Sequence, residues 1–340
     1  MIRRFFLALA LLSFVFFLCS CKRSGSGAKP QIWVYTSMYK HVVDLFERDV
    51  AEALPDVEVK WFQSGSEKVM AKLEAEKGAG GIKADLILIS DPFWYETAKR
   101  DRLLAPYPSP AAAHIPADLK DQDHFFVTAR VPVMVLAYNR NLVKREEAPA
   151  SFYDLLNPKW AGKIAIGSPL ESGSHFTAVA NLSRKYGWDF YRKLRAQNIF
   201  CSGGNSTVMT KLQSGEYAIG ILLLEDILQK KLSDPQSVVE PLYPSDGVIL
   251  IPSPVAIVKT TRFMSAAQRF YDYFLSARGQ KIVTEGFMYS PFADITAPSG
   301  AKPFAEVLSR AFPYNQAFLS DVVDHHAAIK RQFSAIMFEN

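Results

Sequence analysis

Between residues 31 and 90 strand-length apolar runs alternate with helix-period segments, and this alternation limits the possible folds more than any other feature of the chain. Ile32-Trp33-Val34-Tyr35 is such a run, and behind it Val42, Val43, Leu45, Phe46 and Val50 recur at helical spacing. Residues 57–62 are β-branched and aromatic. Ser64-Gly65-Ser66-Glu67 then opens a second helix carrying Val69, Met70 and Leu73, with Ser64 and Glu67 at the spacing of a capping box. Ala84-Asp85-Leu86-Ile87-Leu88-Ile89 is apolar at nearly every position, as a strand buried on both faces must be. The resulting βαβαβ order predicts an α/β fold with a mostly parallel sheet. Ligands of such sheets sit outside the carboxyl ends of the strands, which marks the loops Tyr35-Thr36-Ser37, Gln63-Ser64-Gly65-Ser66 and Ser90-Asp91-Pro92.

The middle of the chain continues in the same style. Residues 131–138 read as a long strand, 149–160 as a connection with a short helix, and 163–167 as another strand. Ser168-Pro169-Leu170-Glu171-Ser172-Gly173-Ser174 is a run of turn and capping residues opening a helix through Phe176, Val179 and Leu182. Gly203-Gly204-Asn205-Ser206-Thr207 opens the next, with Asn205 as the expected N-cap and Gly215 as its end. Residues 218–224 and 255–259 read as buried strands, and 265–285 as one helix burying Ala266, Phe270, Phe274 and Ile282.

The N-terminus carries an export pattern. Arg3 and Arg4 precede an apolar run over residues 5–18, too short and too early to count on as a permanent span. Leu18-Cys19-Ser20-Cys21 resembles a bacterial lipobox, so residues 1–20 are expected to be a signal peptide and Cys21 the lipidated residue that anchors the chain to a membrane. Residues 21–30, basic and rich in Gly and Ser, read as a flexible tether. Removing Arg3 and Arg4 leaves 37 basic against 34 acidic residues, and no Lys/Arg cluster reaches the density that nucleic acid demands. With Cys19 removed and Cys21 acylated, Cys201 lacks an intramolecular partner, which excludes a disulfide framework.

Four stretches carry a resemblance: Asn157-Pro158-Lys159-Trp160-Ala161-Gly162-Lys163-Ile164, Gln213-Ser214-Gly215-Glu216 closing the segment from Asn205, Tyr243-Pro244-Ser245-Asp246-Gly247, and Phe274-Leu275-Ser276-Ala277-Arg278-Gly279-Gln280. In this order, behind a lipobox, residues 32–298 resemble the extracellular solute-binding proteins of ABC importers, in the group with ferric-, sugar-phosphate-, phosphonate-, thiamine- and polyamine-binding receptors. The resemblance implies a two-lobed type II periplasmic-binding-protein fold whose cleft closes on a solute by a hinge motion, and delivery to a permease and its ATPase. It places lobe 1 at residues 31–129 and 252–298, lobe 2 at 130–251, and a helical C-terminal segment at 299–340. A lipid-anchored monomer in the periplasm or at the cell surface is expected.

The ferric members resembled here use two adjacent tyrosines after the Ser-Gly-Glu segment, where this chain has Leu224 and Glu225. Tyr39 or Met38 stands near the place of a ferric histidine, and Asp91 near that of an acid. A ferric ion is therefore the alternative, and the favoured solute is a phosphorylated or phosphonate-bearing compound such as a sugar phosphate. Ser172, Gly173 and Ser174 at one helix start, Asn205 and Ser206 at another, and Ser64, Gly65 and Ser66 at a third offer backbone amides and hydroxyls suited to an anion. Thr36, Ser37 and Asp91 complete the strand-end loops. Glu225 is expected to accept hydrogen bonds from hydroxyls or an ammonium of the solute, and Tyr243 to stack on a sugar face. No metal or other cofactor is expected. The chain lacks G-x-S-x-G, H-E-x-x-H, Walker and G-x-G-x-x-G motifs, so no enzyme is expected. A structural or adhesive surface lipoprotein is the alternative of another class.

Overall fold

The computed structural model describes residues 29–339; the expected signal peptide, Cys21 and most of the tether lie outside the described residues. The chain first builds strands β1 (Gln31–Thr36), β2 (Glu58–Gln63), β3 (Leu86–Leu88), β4 (Leu104–Ala105) and β5 (Val127–Arg130), with helices α1 (Lys40–Ala53), α2 (Ser66–Gly78) and α3 (Pro92–Arg100) between them. It then crosses to a second sheet of β6 (Val133–Asn139), β7 (Ile164–Ile166), β8 (Phe200–Cys201), β9 (Ile219–Leu223), β10 (Val239–Leu242) and β11 (Ile249–Leu250). Here the helices are α4 (Gly173–Tyr186), α5 (Trp188–Ala196), α6 (Asn205–Gln213) and α7 (Leu224–Ser233). Strand β12 (Ser253–Val258) returns to the first sheet, followed by α8 (Met264–Leu275), α9 (Ala277–Glu285), α10 (Phe304–Ser309) and α11 (Gln316–Phe338).

The first sheet runs β2-β1-β3-β12-β4 with β5 on β12, and the second β10-β6-β9-β7-β8 with β11 on β6. The βαβαβ half predicted from residues 31–89 is parallel, β1 pairing with β2 and β3. Both sheets are nevertheless mixed. Strand β12 runs antiparallel to β3, β4 and β5, and β6 antiparallel to β9, β10 and β11, because each enters its sheet from the other lobe without a crossover helix.

Each sheet is covered on both faces. Val34 and Leu88 pack with Val42, Phe46, Phe270 and Phe274 on one side of the first sheet, while Tyr35, Ile87 and Ile89 meet Val69, Leu73 and Tyr95 on the other. The second sheet buries Met134 and Ile219 against Val179, Leu182 and Phe190, and Val135 and Leu222 against Val208, Leu212 and Ile227. The helix expected over residues 265–285 is two: Ser276 ends α8 and caps α9, its Oγ accepting from Gly279 N at 3.2 Å. Gly279 permits the break, since a Cβ there would lie 2.4 Å from Tyr273 O.

The two crossings, Val131-Pro132 and Ile251-Pro252, touch each other: Ile251 N donates to Pro132 O at 2.9 Å. The C-terminal helix α11 spans both lobes. Phe333 stacks edge-on against Tyr191 of α5, while Arg100 of α3 pairs with Asp324 at 3.0 Å.

Candidate functional site

A cleft of about 760 Å³ opens between the lobes, and its walls are loops at the carboxyl ends of strands. Lobe 1 contributes Ser37 after β1, Ser64, Gly65 and Ser66 after β2, and Ser90 after β3. Lobe 2 contributes Ser172 and Ser174 after β7, Gly203 to Thr207 after β8, and Glu225 after β9. Three helix starts, those of α2, α4 and α6, thus face one space. The first four N–H groups of a helix lack intrahelical partners and the helix dipole makes that end positive, so three positive helix ends meet the cleft, beside the carboxyls of Glu67, Glu171 and Glu225.

Local chemistry holds the helix starts together. Ser172 caps α4, its Oγ accepting from His175 N and lying 3.1 Å from Ser174 Oγ. Asn205 does not cap α6; the cap is Gly204, which leaves the amide side chain free for a longer reach. Its Nδ2 donates to Ser174 Oγ at 2.9 Å and its Oδ1 accepts from Leu223 N at 3.3 Å, tying α4, α6 and β9 into one unit. The capping box expected of Ser64 and Glu67 also does not form. Helix α2 starts at Ser66 behind Gly65, Ser66 Oγ accepts from Ser90 N, and Glu67 reaches Lys330 of α11 at 2.7 Å.

Of the residues marked in the sequence, Ser37, Ser64, Gly65, Ser66, Ser172, Ser174, Asn205, Ser206 and Glu225 line the cleft. Four do not. Thr36 turns inward, donating to Leu88 O at 2.9 Å and accepting from Met38 N, and so ties β1 to β3. Asp91 is fully buried behind the wall as the cap of α3, accepting from Phe93 N and Trp94 N at 3.1 Å, with burial pushing its carboxyl up to about 7. Gly173 lies where the lobes meet; a Cβ on it would stand 2.7 Å from Ser90 O. Tyr243 follows the outer strand β10, away from the cleft, and accepts from Lys302 N at 3.2 Å.

Behind the lobe-1 serines lies a charged side chain that no motif marks. Arg130, at the end of β5, is 1% exposed and donates through Nη2 to Ser37 Oγ at 3.2 Å and Ser90 Oγ at 3.0 Å. Its signal was a lone charge inside the apolar run of residues 127–137. Tyr39 of lobe 1 donates to Asp226 of lobe 2 at 2.7 Å. Beside it Glu225 is 3% exposed, and its Oε2 has no hydrogen-bond partner among the described residues. Burial pushes the Glu225 carboxyl up to about 8 against the pull of Arg130, and pushes Asp226 up to about 7. Leu224, in the place of the first ferric tyrosine, is buried in the core of lobe 2.

This fold matches that of known proteins. The pattern of the family described as bacterial extracellular solute-binding protein fits residues 81–319. The chain is 24% identical over 310 residues to a putative 2-aminoethylphosphonate-binding periplasmic protein of Salmonella paratyphi A, covering 86% of each chain. It is 25% identical to iron uptake protein A1 of Synechocystis, covering 83% of this chain and 82% of that one. Among solved structures, the periplasmic binding protein AfuA of Actinobacillus pleuropneumoniae with exogenous fructose-6-phosphate bound superposes with a TM-score of 0.80 at 23% identity, over 91% of this chain and 99% of that one. The chain therefore belongs to the bacterial extracellular solute-binding proteins, the extracytoplasmic receptors of ABC importers.

Proposed function

We propose that the protein captures a small phosphorylated or phosphonate-bearing organic solute in the cleft, closes its lobes about the paired crossings at Pro132 and Pro252, and presents the solute to a permease. The observation that carries this reading is the convergence of the α2, α4 and α6 starts on one cleft with Ser and Gly as its main lining. A phosphoryl group takes several donors at once, and helix starts from both lobes supply them only when the cleft is closed. Glu225, buried and with an open acceptor oxygen, then takes a hydroxyl or ammonium on the organic part. Sequence relatives with phosphonate and iron in their names, and the sugar phosphate in the AfuA structure, bracket the ligand class. Leu224 and Glu225 in place of a tyrosine pair favour the phosphoryl side, because iron(III) prefers phenolate oxygen.

In this reading residues 1–20 direct export and a lipid on Cys21 keeps the receptor at the membrane near its permease. Mass spectrometry of protein made in a bacterial host tests the anchor: a diacylglyceryl mass on a peptide beginning at Cys21 is expected, and an unmodified mature N-terminus contradicts it. A thermal-shift screen with phosphate esters, phosphonates and ferric citrate tests the ligand class, with stabilisation by a phosphoryl compound expected and stabilisation by ferric citrate alone contradicting it.

A further inference from the structure

The hydroxyls of Ser37 and Ser90 form one small network on the lobe-1 side of the cleft, and both residues line it. A serine hydroxyl has two lone pairs and one proton. Ser37 Oγ receives Ser90 N at 2.9 Å and Arg130 Nη2 at 3.2 Å, which fills both lone pairs. Ser90 Oγ accepts the same Nη2 at 3.0 Å and the Ser37 hydroxyl at 3.2 Å, which fills its lone pairs, and the Ser253 hydroxyl stands 3.2 Å away. Ser253 has its own acceptor in Ile251 O at 3.0 Å. Ser37 gives its proton to Ser90, so what the pair has left to offer a solute is the Ser90 proton.

The guanidinium has no other strong acceptor to satisfy. Nη1 faces the weak acceptor Met288 Sδ at 3.1 Å, and Nε has no partner among the described residues. A fully buried charge with so few acceptors is costly unless its position serves the site. We infer that Arg130 is a positioning residue that, with Ser37, fills the acceptor sites of Ser90 and commits its hydroxyl to donate, making the lobe-1 wall a subsite for a solute oxygen and barring an ammonium or other pure donor from it.

This rests on the reading of the cleft as an anion receptor and gives the solute a direction. Acceptor oxygens lie against Ser90 and against the helix starts. The donor end, whether hydroxyl or ammonium, lies against Glu225 on the opposite lobe. A solute with an acceptor-bearing group at each pole and its donors gathered at Glu225 fits; a polyamine, which has donors only, does not.

The test is a mutant cycle on binding, read by calorimetry with fructose 6-phosphate, glycerol 3-phosphate, 2-aminoethylphosphonate, citrate, ferric citrate and spermidine as probes. For whichever probe the wild type binds, Ser90→Ala is expected to weaken binding about tenfold, the size of one lost hydrogen bond to a charged group. Arg130→Gln is expected to weaken it by a similar factor in the wild-type background and by less than about twofold when Ser37 and Ser90 are both alanine, since coupled residues are not additive. A purely structural arginine predicts the same loss in both backgrounds, and that result overturns the inference. Should Arg130→Gln not fold, Ser90→Ala decides alone: unchanged affinity overturns it. Binding of citrate but no phosphoryl probe would refute the phosphoryl reading while the cycle still judges Arg130. Binding of spermidine, or of none of the probes, overturns both.

Discussion

The Tyr39 hydroxyl, on the loop after β1, donates to Asp226 Oδ2 at the start of α7 across the junction of the two lobes at 2.7 Å. It is a direct side-chain hydrogen bond by which the cleft floor joins one lobe to the other, between the N-cap of α1 and the first turn of α7. Tyr39→Phe removes it while keeping the ring. Ligand-free protein is then expected to open, with a larger radius of gyration in solution scattering, and solute affinity to fall several-fold. An unchanged scattering profile would show that the bond does not hold the lobes together.

Acid is expected to favour closure of the same junction. Burial raises Glu225 to about 8 and Asp226 to about 7, whereas in an open cleft or an unfolded chain both carboxyls return toward the ordinary range near 4. The closed form therefore binds protons that the open and unfolded forms release, and its advantage falls as pH rises from about 4 through 8. Scattering from ligand-free protein is expected to give a smaller radius at pH 5.5 than at pH 8.5, with Arg130 charged throughout. The reverse order would contradict the assignment of these groups.

Gly173 is where closure is sterically tightest. A Cβ there would meet Ser90 O at 2.7 Å and the Ser66 and Asp91 Cβ atoms at 3.1 Å, all on the opposite lobe. Gly173→Ala suits the helix start but wedges the lobes apart. The overlap costs roughly 1–3 kcal/mol in the closed form alone, which calorimetry should read as binding weakened about 5- to 150-fold with little change in melting temperature. Equal affinity would mean that the solute is held with the cleft more open.

Asn205 separates scaffold from site. Asn205→Leu leaves Leu223 N and Ser174 Oγ without their partner inside a buried network. Unfolding in denaturant is expected to show a loss of about 1–3 kcal/mol, so weaker binding by this variant reports a damaged support as well as a lost contact. Ser206, exposed on the cleft wall, is the cleaner probe. Ser206→Ala should leave the denaturation midpoint in place while weakening phosphoryl binding, and unchanged binding would place the solute away from the α6 start.

The reach of the sequence follows from how local each feature is. The βαβαβ half, the cap at Ser172 and the approach of Ser64, Ser172 and Glu225 to one cleft follow from periodicity and turn chemistry, which act over a few residues. The antiparallel half of each sheet depends on where the chain changes lobes, and no local pattern states the direction in which β6 and β12 enter. Asn205 shows the limit of capping rules: its residue type suits a cap, but a distant acceptor on Ser174 claimed the side chain. Arg130 and the Tyr39–Asp226 bond join residues far apart in sequence, so only a lone charge in an apolar strand hinted at the first and nothing at the second. Thr36 and Asp91 sit in the predicted loops but turn into the wall, because a strand-end residue alternates between facing the cleft and facing the core.

Glu225 tests the site at its most polar point. Glu225→Gln keeps the shape and removes a carboxylate that burial leaves ionised only above about 8, so at pH 9 binding of a solute with an ammonium or hydroxyl at that end should weaken by about 1.5–3 kcal/mol. Calorimetry that finds no loss would take Glu225 out of the solute's reach.

Calorimetric titration of the wild-type protein with phosphate esters and phosphonates, beside ferric citrate, addresses the central claim most directly. A saturable one-to-one heat with a phosphoryl solute is the result expected from three helix starts facing one cleft; heat with ferric citrate alone, or with none of these solutes, would contradict it.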